Sequence, residues 1–199
     1  MLTVSRKDIP STGMMRYDKP FLKLDVLKYM KRMGGLPRIP AEGIQPISSQ
    51  LAVINALNNP KYRFVTAAIS RRQGKTYIAN IVGQLVALVP SSNVLIMSPN
   101  YSLSQISFDL QRKFLQHFDI PLTKDNAKDK IIELENGSTI RMGSVNQVDA
   151  CVGRSYDFII FDEAALTDGM EAFSQSLRPT LDKDTAKALF ISTPRGRLN

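Results

Sequence analysis

The chain has 199 residues, of which 43% are hydrophobic, and this suits one globular domain of ordinary size. No apolar run approaches the ~20 residues that a membrane span needs, and the N-terminus lacks the apolar stretch of a signal peptide. The single cysteine, Cys151, and the single histidine, His117, exclude an intrachain disulfide, a cysteine metal cluster and most zinc sites.

The net charge of +8 is concentrated in residues 1–40, which have nine Lys and Arg against three Asp. Such a segment suits a polyanion or an acidic partner surface, and a solvated flank explains it equally well. Residues 1–20 show no periodicity and are expected to form an extended arm. Residues 21–33 have the apolar spacing of a helix, 34–46 are rich in proline and glycine and predict a loop, and 48–57 predict a helix capped by serine.

Beyond residue 60 the pattern changes to short apolar strands that alternate with helices. An Asn-Gly pair at residues 136–137, flanked by alternating apolar residues, predicts a hairpin. The predicted strands are 64–69, 93–99, 157–165 and 186–194, the hairpin is 131–145, and the predicted helices are 76–89, 102–118 and 172–179. This order predicts an α/β fold with a mainly parallel sheet flanked by helices on both faces.

The segment SRRQGKT (residues 70–76) joins the first of these strands to a helix. It ends like a phosphate-binding loop, although the usual pattern has glycine where this chain has Ile69. Gly74 would let the backbone approach a phosphate, Lys75 would reach the β- and γ-phosphates, and Thr76 would direct its hydroxyl to Mg²⁺. The predicted nucleotide-binding residues of the loop are Ser70, Arg71, Arg72, Gln73, Gly74, Lys75 and Thr76.

Two further strand ends carry chemistry. The apolar strand before Asp162 and Glu163 predicts that Asp162 binds Mg²⁺ through water and that Glu163 is the general base. A solvated pair of loop acids is the alternative, but ligands of such sheets bind at the carboxyl ends of the strands. Ser192 and Thr193 end the last strand and could contact the γ-phosphate, or could be ordinary strand-to-loop residues.

Together, SRRQGKT, IIFDEAA and LFISTPRG resemble the ATPase domain of the large terminase subunit of tailed bacteriophages, over roughly residues 45–199. The resemblance implies a P-loop NTPase of the ASCE (RecA-like) type that hydrolyses ATP with Mg²⁺ to drive double-stranded DNA into procapsids. The family's phosphate loop lacks the first glycine and has an early arginine, which falls on Arg71. Its paired acids fall on Asp162 and Glu163, and its coupling hydroxyls fall on Ser192 and Thr193.

The resemblance also implies residues that the spacing alone does not identify. The family's adenine-contacting glutamine falls on Gln50, with Gln45 as a second candidate. Arg154 is a candidate arginine finger that acts on a neighbouring subunit, although Arg141 also lies in range. Arg71 would supply its charge within its own subunit, and the sequence leaves open which arginine is catalytic.

Residues 1–60 are expected to form a basic arm and a small helical, lid-like segment, although residues 1–44 match no motif of the family, and residues 61–199 are expected to form the ATPase core. The family's C-terminal nuclease domain, and hence DNA cleavage, is not expected in this piece. The implied partners are double-stranded DNA, the portal protein and the small terminase subunit, with a homo-oligomeric ring, expected to be a pentamer, on the procapsid. The isolated chain is expected to be a monomer, away from membranes, in the cytoplasm of the infected bacterium and absent from the mature virion.

Two alternatives share some of these features. A superfamily 2-type helicase or translocase also has Gly-Lys-Thr, paired acids and a hydroxyl-rich third motif, and NVLIMSPNYSLSQ resembles its post-loop segment. Helicases, however, need a second RecA-like domain and keep small residues in the phosphate loop. A non-catalytic nucleotide- or DNA-binding module would tolerate Glu163→Gln.

Overall fold

The computed structural model describes residues 20–37, 39–166 and 169–194, and every structural statement below concerns these residues. The extended arm predicted for the N-terminus therefore lies outside the described residues, apart from its last residue. So do Arg195 and Gly196, at the end of the third motif.

The described residues form alternating helices and strands. The helices are α1 (Val26–Lys31), α2 (Ser48–Asn58), α3 (Lys75–Ala87), α4 (Tyr101–His117) and α5 (Gly169–Ala172). The strands are β1 (Phe64–Ala68), β2 (Asn93–Ser98), β3 (Leu122–Asn126), β4 (Ile131–Leu134), β5 (Thr139–Ser144), β6 (Phe158–Asp162) and β7 (Lys187–Ser192). Short 3₁₀ segments cover Val145–Cys151, Ala164–Leu166 and Arg178–Thr180, and a π-helical turn covers Phe173–Leu177.

The seven strands form one sheet in the order β1-β7-β6-β2-β5-β4-β3. The first five of these strands are parallel, and β4 and β3 are joined to them in antiparallel pairs. The predicted mainly parallel sheet is thus confirmed. Because parallel strands end at the same edge, the carboxyl ends of β1, β7 and β6 lie side by side, with β7 in the middle.

The core lies on both faces of this sheet. Every residue of β6 is buried, as expected for a strand covered on both faces. Two consecutive residues of this strand, Ile160 and Phe161, belong to different hydrophobic clusters. Ile160 packs in the cluster that contains most of the buried face of α3. Phe161 packs in the other, where its ring stacks on Phe190 at 5.2 Å and meets Phe173 edge-on.

The described part of the N-terminal segment packs on the α3 cluster. Met30 and Met33 are fully buried there, and the hydroxyl of Tyr29 donates a hydrogen bond of 2.5 Å to Gln84 of α3. The division of the chain at residue 60 stays a prediction.

Within the described residues, no helix combines the length and apolar character that a membrane crossing would require.

The local predictions differ from the structure in four places, the first being the cap of α2, where Ile47 and not a serine is the N-cap. The hairpin at residues 131–145 is confirmed as β4 and β5, but β3 was not predicted, because its residues LTKDN are polar and mostly exposed at the sheet edge. The helix predicted over residues 21–33 is only Val26–Lys31, capped by Asp25. The helix predicted over residues 172–179 is wrong except at Ala172, because Phe173–Leu177 form a π-helical turn and Arg178–Thr180 a 3₁₀ segment.

Candidate active site

The loop between β1 and α3 has a backbone that only certain residues adopt easily. Gly74, at the N-cap of α3, has φ 65° and ψ 27°, in the left-handed region that favours glycine. A Cβ atom at this position would lie 2.8 Å from Nε2 of Gln50. Arg72 has φ 63° although it is not a glycine. The loop therefore has a defined turn conformation in which the dihedral angles of Gly74 favour glycine, and a side chain there would also displace the amide of Gln50.

Gln50 connects α2 to this loop. Its Nε2 donates to the carbonyl oxygen of Gln73 at 3.2 Å, and its Oε1 accepts from the backbone N–H of Ile47 at 3.2 Å. The side chain is buried, with 6% of the residue exposed. Gln45, the second candidate, is exposed and makes no hydrogen bond to the loop within the described residues. Both ends of the Gln50 amide are thus engaged by the protein.

Lys75 and Glu163 are in direct contact at the centre of the site. Nζ of Lys75 lies 2.8 Å from Oε1 of Glu163, and the two side chains are 10% and 22% exposed. The other carboxylate oxygen of Glu163 accepts long hydrogen bonds from Oγ of Ser192, at 3.3 Å, and from the backbone N–H of Thr193, at 3.4 Å. Glu163 itself has φ 57°, which is uncommon for a residue with a side chain. Glu163 therefore connects the phosphate-type loop to the end of β7.

Asp162 has the properties of a cation ligand. It is 7% exposed, and its Oδ1 is buried without a hydrogen-bond partner within the described residues. Burial raises the pKa of this carboxyl group, a hydrogen bond from the Thr76 hydroxyl lowers it, and the negative charge of Glu163 raises it further. A buried carboxylate with an open oxygen beside a hydroxyl is the oxygen donor set that Mg²⁺ prefers, so these residues fit the predicted metal.

The arginines do not converge on these groups. Arg71, Arg72 and Arg154 are exposed, and none of them forms an ion pair with another described residue. Arg154 follows Gly153, whose φ of 83° places it in a turn. Arg141 lies within β5, where its Nε is buried with no hydrogen-bond partner among the described residues. The structure thus brings Lys75, Thr76, Asp162, Glu163, Ser192 and Thr193 together and leaves every candidate arginine outside this group.

A buried polar network behind the loop was not predicted. Asn80 of α3 donates to the carbonyl oxygen of Thr76 at 2.8 Å and to Oγ of Ser107 at 3.2 Å. Gln111 of α4 donates to the backbone oxygen of Asn80 at 2.8 Å and to its Oδ1 at 3.2 Å. Asn80 and Gln111 are fully buried. Polar residues at positions 76, 80 and 84 of an otherwise apolar helix share one face, and this spacing was the signal that could have found them.

The sequence profile described as terminase large subunit, T4-like-virus type, N-terminal part, matches residues 67–199. The terminase large subunit of Escherichia phage T5 is 49% identical over 189 residues, which cover 92% of this chain and 43% of that protein. The chain therefore belongs to the terminase large-subunit family and spans less than half the length of this relative.

Solved structures agree with the fold. The ATPase domain of the Thermus phage P74-26 large terminase superposes with a TM-score of 0.63 at 25% identity, covering 78% of this chain and 67% of that one. The UvsW helicase of bacteriophage T4 superposes with a TM-score of 0.55 at 18% identity, covering 85% of this chain and 60% of that one. The first similarity confirms the predicted RecA-like P-loop fold, and the second shows a shared fold alone.

Proposed function

We propose that this member of the terminase large-subunit family hydrolyses ATP and uses the energy to move double-stranded DNA into a procapsid. The observation that carries the proposal is the 2.8 Å contact of Lys75 with Glu163, beside Asp162 and Thr76, where the carboxyl ends of β1, β6 and β7 meet. A lysine at a helix N-terminus binds phosphate, and a nearby carboxylate can activate water. The name of the T5 relative and that of the P74-26 ATPase domain support the proposal.

The Lys75–Glu163 ion pair has to open for the reaction. Lys75 and backbone N–H groups at the start of α3 would bind the β- and γ-phosphates. The ammonium group of Lys75 would then no longer pair with Glu163. Glu163 is then free to orient a water molecule and accept its proton. Thr76 and Asp162, the latter through water, would hold Mg²⁺, which when bound neutralises charge on the phosphate oxygens.

The arginines are proposed to complete the site on assembly. Arg71 lies in the loop and would stabilise phosphate charge within its own subunit. Arg154 is exposed in a turn, which suits a group that reaches a neighbouring subunit. An arginine of this kind contributes roughly 10³–10⁵-fold to phosphoryl transfer. Arg141 is the weaker candidate because its Nε points into the protein.

Ser192 and Thr193 are proposed as the coupling residues. Both donate to Glu163, and the hydroxyl oxygen of Ser192 also accepts from the backbone N–H of Ala165 at 3.1 Å. A shift of Glu163 during turnover would therefore move the end of β7 and the segment after β6.

The adenine contact is assigned to Gln50, with Gln45 as the second candidate. Binding adenine through Gln50 would require it to exchange its bond to Gln73 or to Ile47. Such an exchange would change the contact between α2 and the loop when the nucleotide binds.

The wider setting is proposed from family membership. We expect a homo-oligomeric ring, a pentamer, on the procapsid, with the portal protein, the small terminase subunit and double-stranded DNA as partners. We expect a monomer in isolation, and action in the host cytoplasm before the virion matures. Residues 1–60 would form the arm and lid-like segment, and residues 61–199 the ATPase core.

ATP turnover and nucleotide binding by three variants test the proposal. Glu163→Gln should retain ATP binding and lose turnover, because the amide cannot accept the proton from water. Lys75→Ala should abolish nucleotide binding. Glu133→Gln is the matched control, since Glu133 also pairs with a lysine, Lys124 at 3.3 Å, but lies in β4 away from the site. Unchanged turnover in Glu163→Gln would remove the assigned base, whereas an unmodified chain that binds ATP without turning it over would favour a non-catalytic module.

A further inference from the structure

A basic cleft lies at the start of β1, at the end of the strand away from the phosphate-type loop. It has a volume of about 350 Å³. Its lining residues are Arg63, Phe64, Ser174, Arg178, Pro179 and Leu181, and none of them is acidic. The cleft therefore presents two positive charges and no compensating carboxylate of its own.

Both arginines are arranged around one aromatic ring. The guanidinium carbons of Arg63 and Arg178 each lie 5.9 Å from the centre of the Phe64 ring. Arg63 is further held by donating to the carbonyl oxygens of Leu181 and Lys183. A guanidinium fixed in this way loses less conformational entropy when it binds an anion.

The contacts of the two arginines with the ring and with backbone carbonyls do not neutralise their positive charges. Neither Arg63 nor Arg178 forms an ion pair with another residue in the described part of the chain. Two acids of neighbouring loops have other partners: Asp157 pairs with Lys183 at 2.8 Å, and Asp182 accepts from the hydroxyl of Ser155. The cleft is thus open to an external anion.

The sequence around the cleft alternates basic and aromatic residues, Lys61-Tyr62-Arg63-Phe64. Tyr62 is 50% exposed and Phe64 is 40% exposed, although large aromatic side chains are usually buried. Exposed aromatics interleaved with cations are typical of surfaces that bind the nucleic-acid backbone, where arginine contacts phosphate and rings pack on sugar or base.

We propose that this basic cleft binds the phosphodiester backbone of DNA through Arg63 and Arg178. The inference rests on the proposed function, which makes DNA the substrate, and adds a contact surface at the edge of the sheet away from the ATP site. Arginine suits this role because its planar fork can donate two hydrogen bonds to one phosphate.

Fluorescence anisotropy of a labelled DNA duplex, titrated with this chain over a series of salt concentrations, tests the proposal. Arg178→Ala should weaken binding regardless of sequence and should reduce the slope of log K against log salt by about one. Arg112→Ala is the matched control, because Arg112 lies at a similar 5.7 Å from the Phe108 ring but already pairs with Asp125 at 2.7 Å. Its slope should equal that of the unmodified chain.

A second variant separates duplex from single-strand binding. Phe64→Leu should weaken binding of a single-stranded probe more than binding of the duplex, because stacking on a base requires the ring whereas the duplex loses only the support that the ring gives to the two arginines. Thermal unfolding of each variant checks that the fold is retained.

The proposal is overturned if Arg178→Ala and Arg112→Ala have the same slope, or if the unmodified chain binds no DNA at low salt. It is also overturned if Arg178→Ala changes the oligomeric mass but leaves the slope of log K for DNA binding against log salt unchanged. That result would mean that the cleft binds an acidic surface of another subunit. ATP turnover of the unmodified chain without DNA, measured in parallel, reports on the proposed ATPase independently of these outcomes.

Discussion

Arg72 has a backbone conformation that is unfavourable for a residue with a side chain. Its φ of 63° lies in the left-handed region, which costs a residue with a Cβ atom roughly 1–2 kcal/mol. The cost persists because Gly74 and the start of α3 determine the path of the loop. Strain of this kind is concentrated at functional sites, where the loop has to hold one shape.

Arg72→Gly should therefore stabilise the chain by up to about 1 kcal/mol, measured as the free energy of unfolding in urea, because glycine adopts this conformation without strain. The gain is partly offset by the greater freedom of glycine in the unfolded chain. Arg71→Gly is the control: Arg71 does not have a positive φ, so the same change should destabilise. Equal effects of the two substitutions would show that the dihedral angle at Arg72 stores no strain.

Individual site residues were predictable where a chemical pattern marks them. Lys75, Thr76, Asp162 and Glu163 follow apolar strands or precede a helix, and the structure places them together. The side-chain links between them could not be predicted. The contact of Gln50 with the carbonyl of Gln73 depends on how α2 packs on the loop, which no local pattern encodes.

At the scale of elements, α3 is the connection between the loop and the rest of the fold. Its apolar residues predicted a helix correctly, but its burial on nearly all sides makes each polar residue depend on a partner. Asn80 bonds to both Ser107 and Gln111, so α3 and α4 are joined by hydrogen bonds as well as by packing, while Oε1 of Gln111 is buried without a partner among the described residues. This joint holds the first turn of α3, where Thr76 lies.

Asn80→Leu should destabilise the chain by about 1–3 kcal/mol, because it removes the partner of Ser107 and the side-chain bond of Gln111, which keeps only its bond to the backbone oxygen of residue 80. The free energy of unfolding in urea measures the loss. The double variant Asn80→Leu/Gln111→Leu should lose less unfolding free energy than the sum of the two single variants. It removes both partners of the side-chain hydrogen bond between Asn80 and Gln111, so neither is left behind unpaired. Strictly additive effects would contradict an energetic link between α3 and α4. Gln105→Leu, on the exposed face of α4, is the control and should change stability little.

Other elements show why sequence prediction failed locally. β3 carries no hydrophobic alternation because it lies at the edge of the sheet, where only its pairing with β4 specifies a strand. The turn Phe173–Leu177 has helical spacing but is π-helical, and its first residue, Phe173, packs against Phe161 and Phe190 of the sheet. Tertiary contacts, which a periodicity cannot contain, decide both cases.

At the scale of the whole molecule, the strand order separates three surfaces. The phosphate-type loop and the acids share the carboxyl edge of the sheet, the basic cleft lies at the start of β1, and Arg154 projects from the turn before β6. No candidate arginine other than those in the loop belongs to the same stretch of backbone as Lys75. If Arg154 is the finger, we propose that another copy of the chain supplies it, because it is exposed in a turn apart from the other site residues.

Mixing two inactive variants tests this arrangement. Arg154→Ala keeps Glu163 but should lose turnover in assemblies of its own kind, by roughly 10³-fold or more. Glu163→Gln lacks the base but retains Arg154, which it can present to a neighbour. Their mixture should regain ATP turnover, because composite sites then contain both groups. A mixture of Arg154→Ala with the double variant Arg154→Ala/Glu163→Gln is the control and should stay inactive. If the first mixture is as inactive as the control under conditions where the chains assemble, Arg154 does not act in trans, and Arg71 and Arg141 remain the candidates.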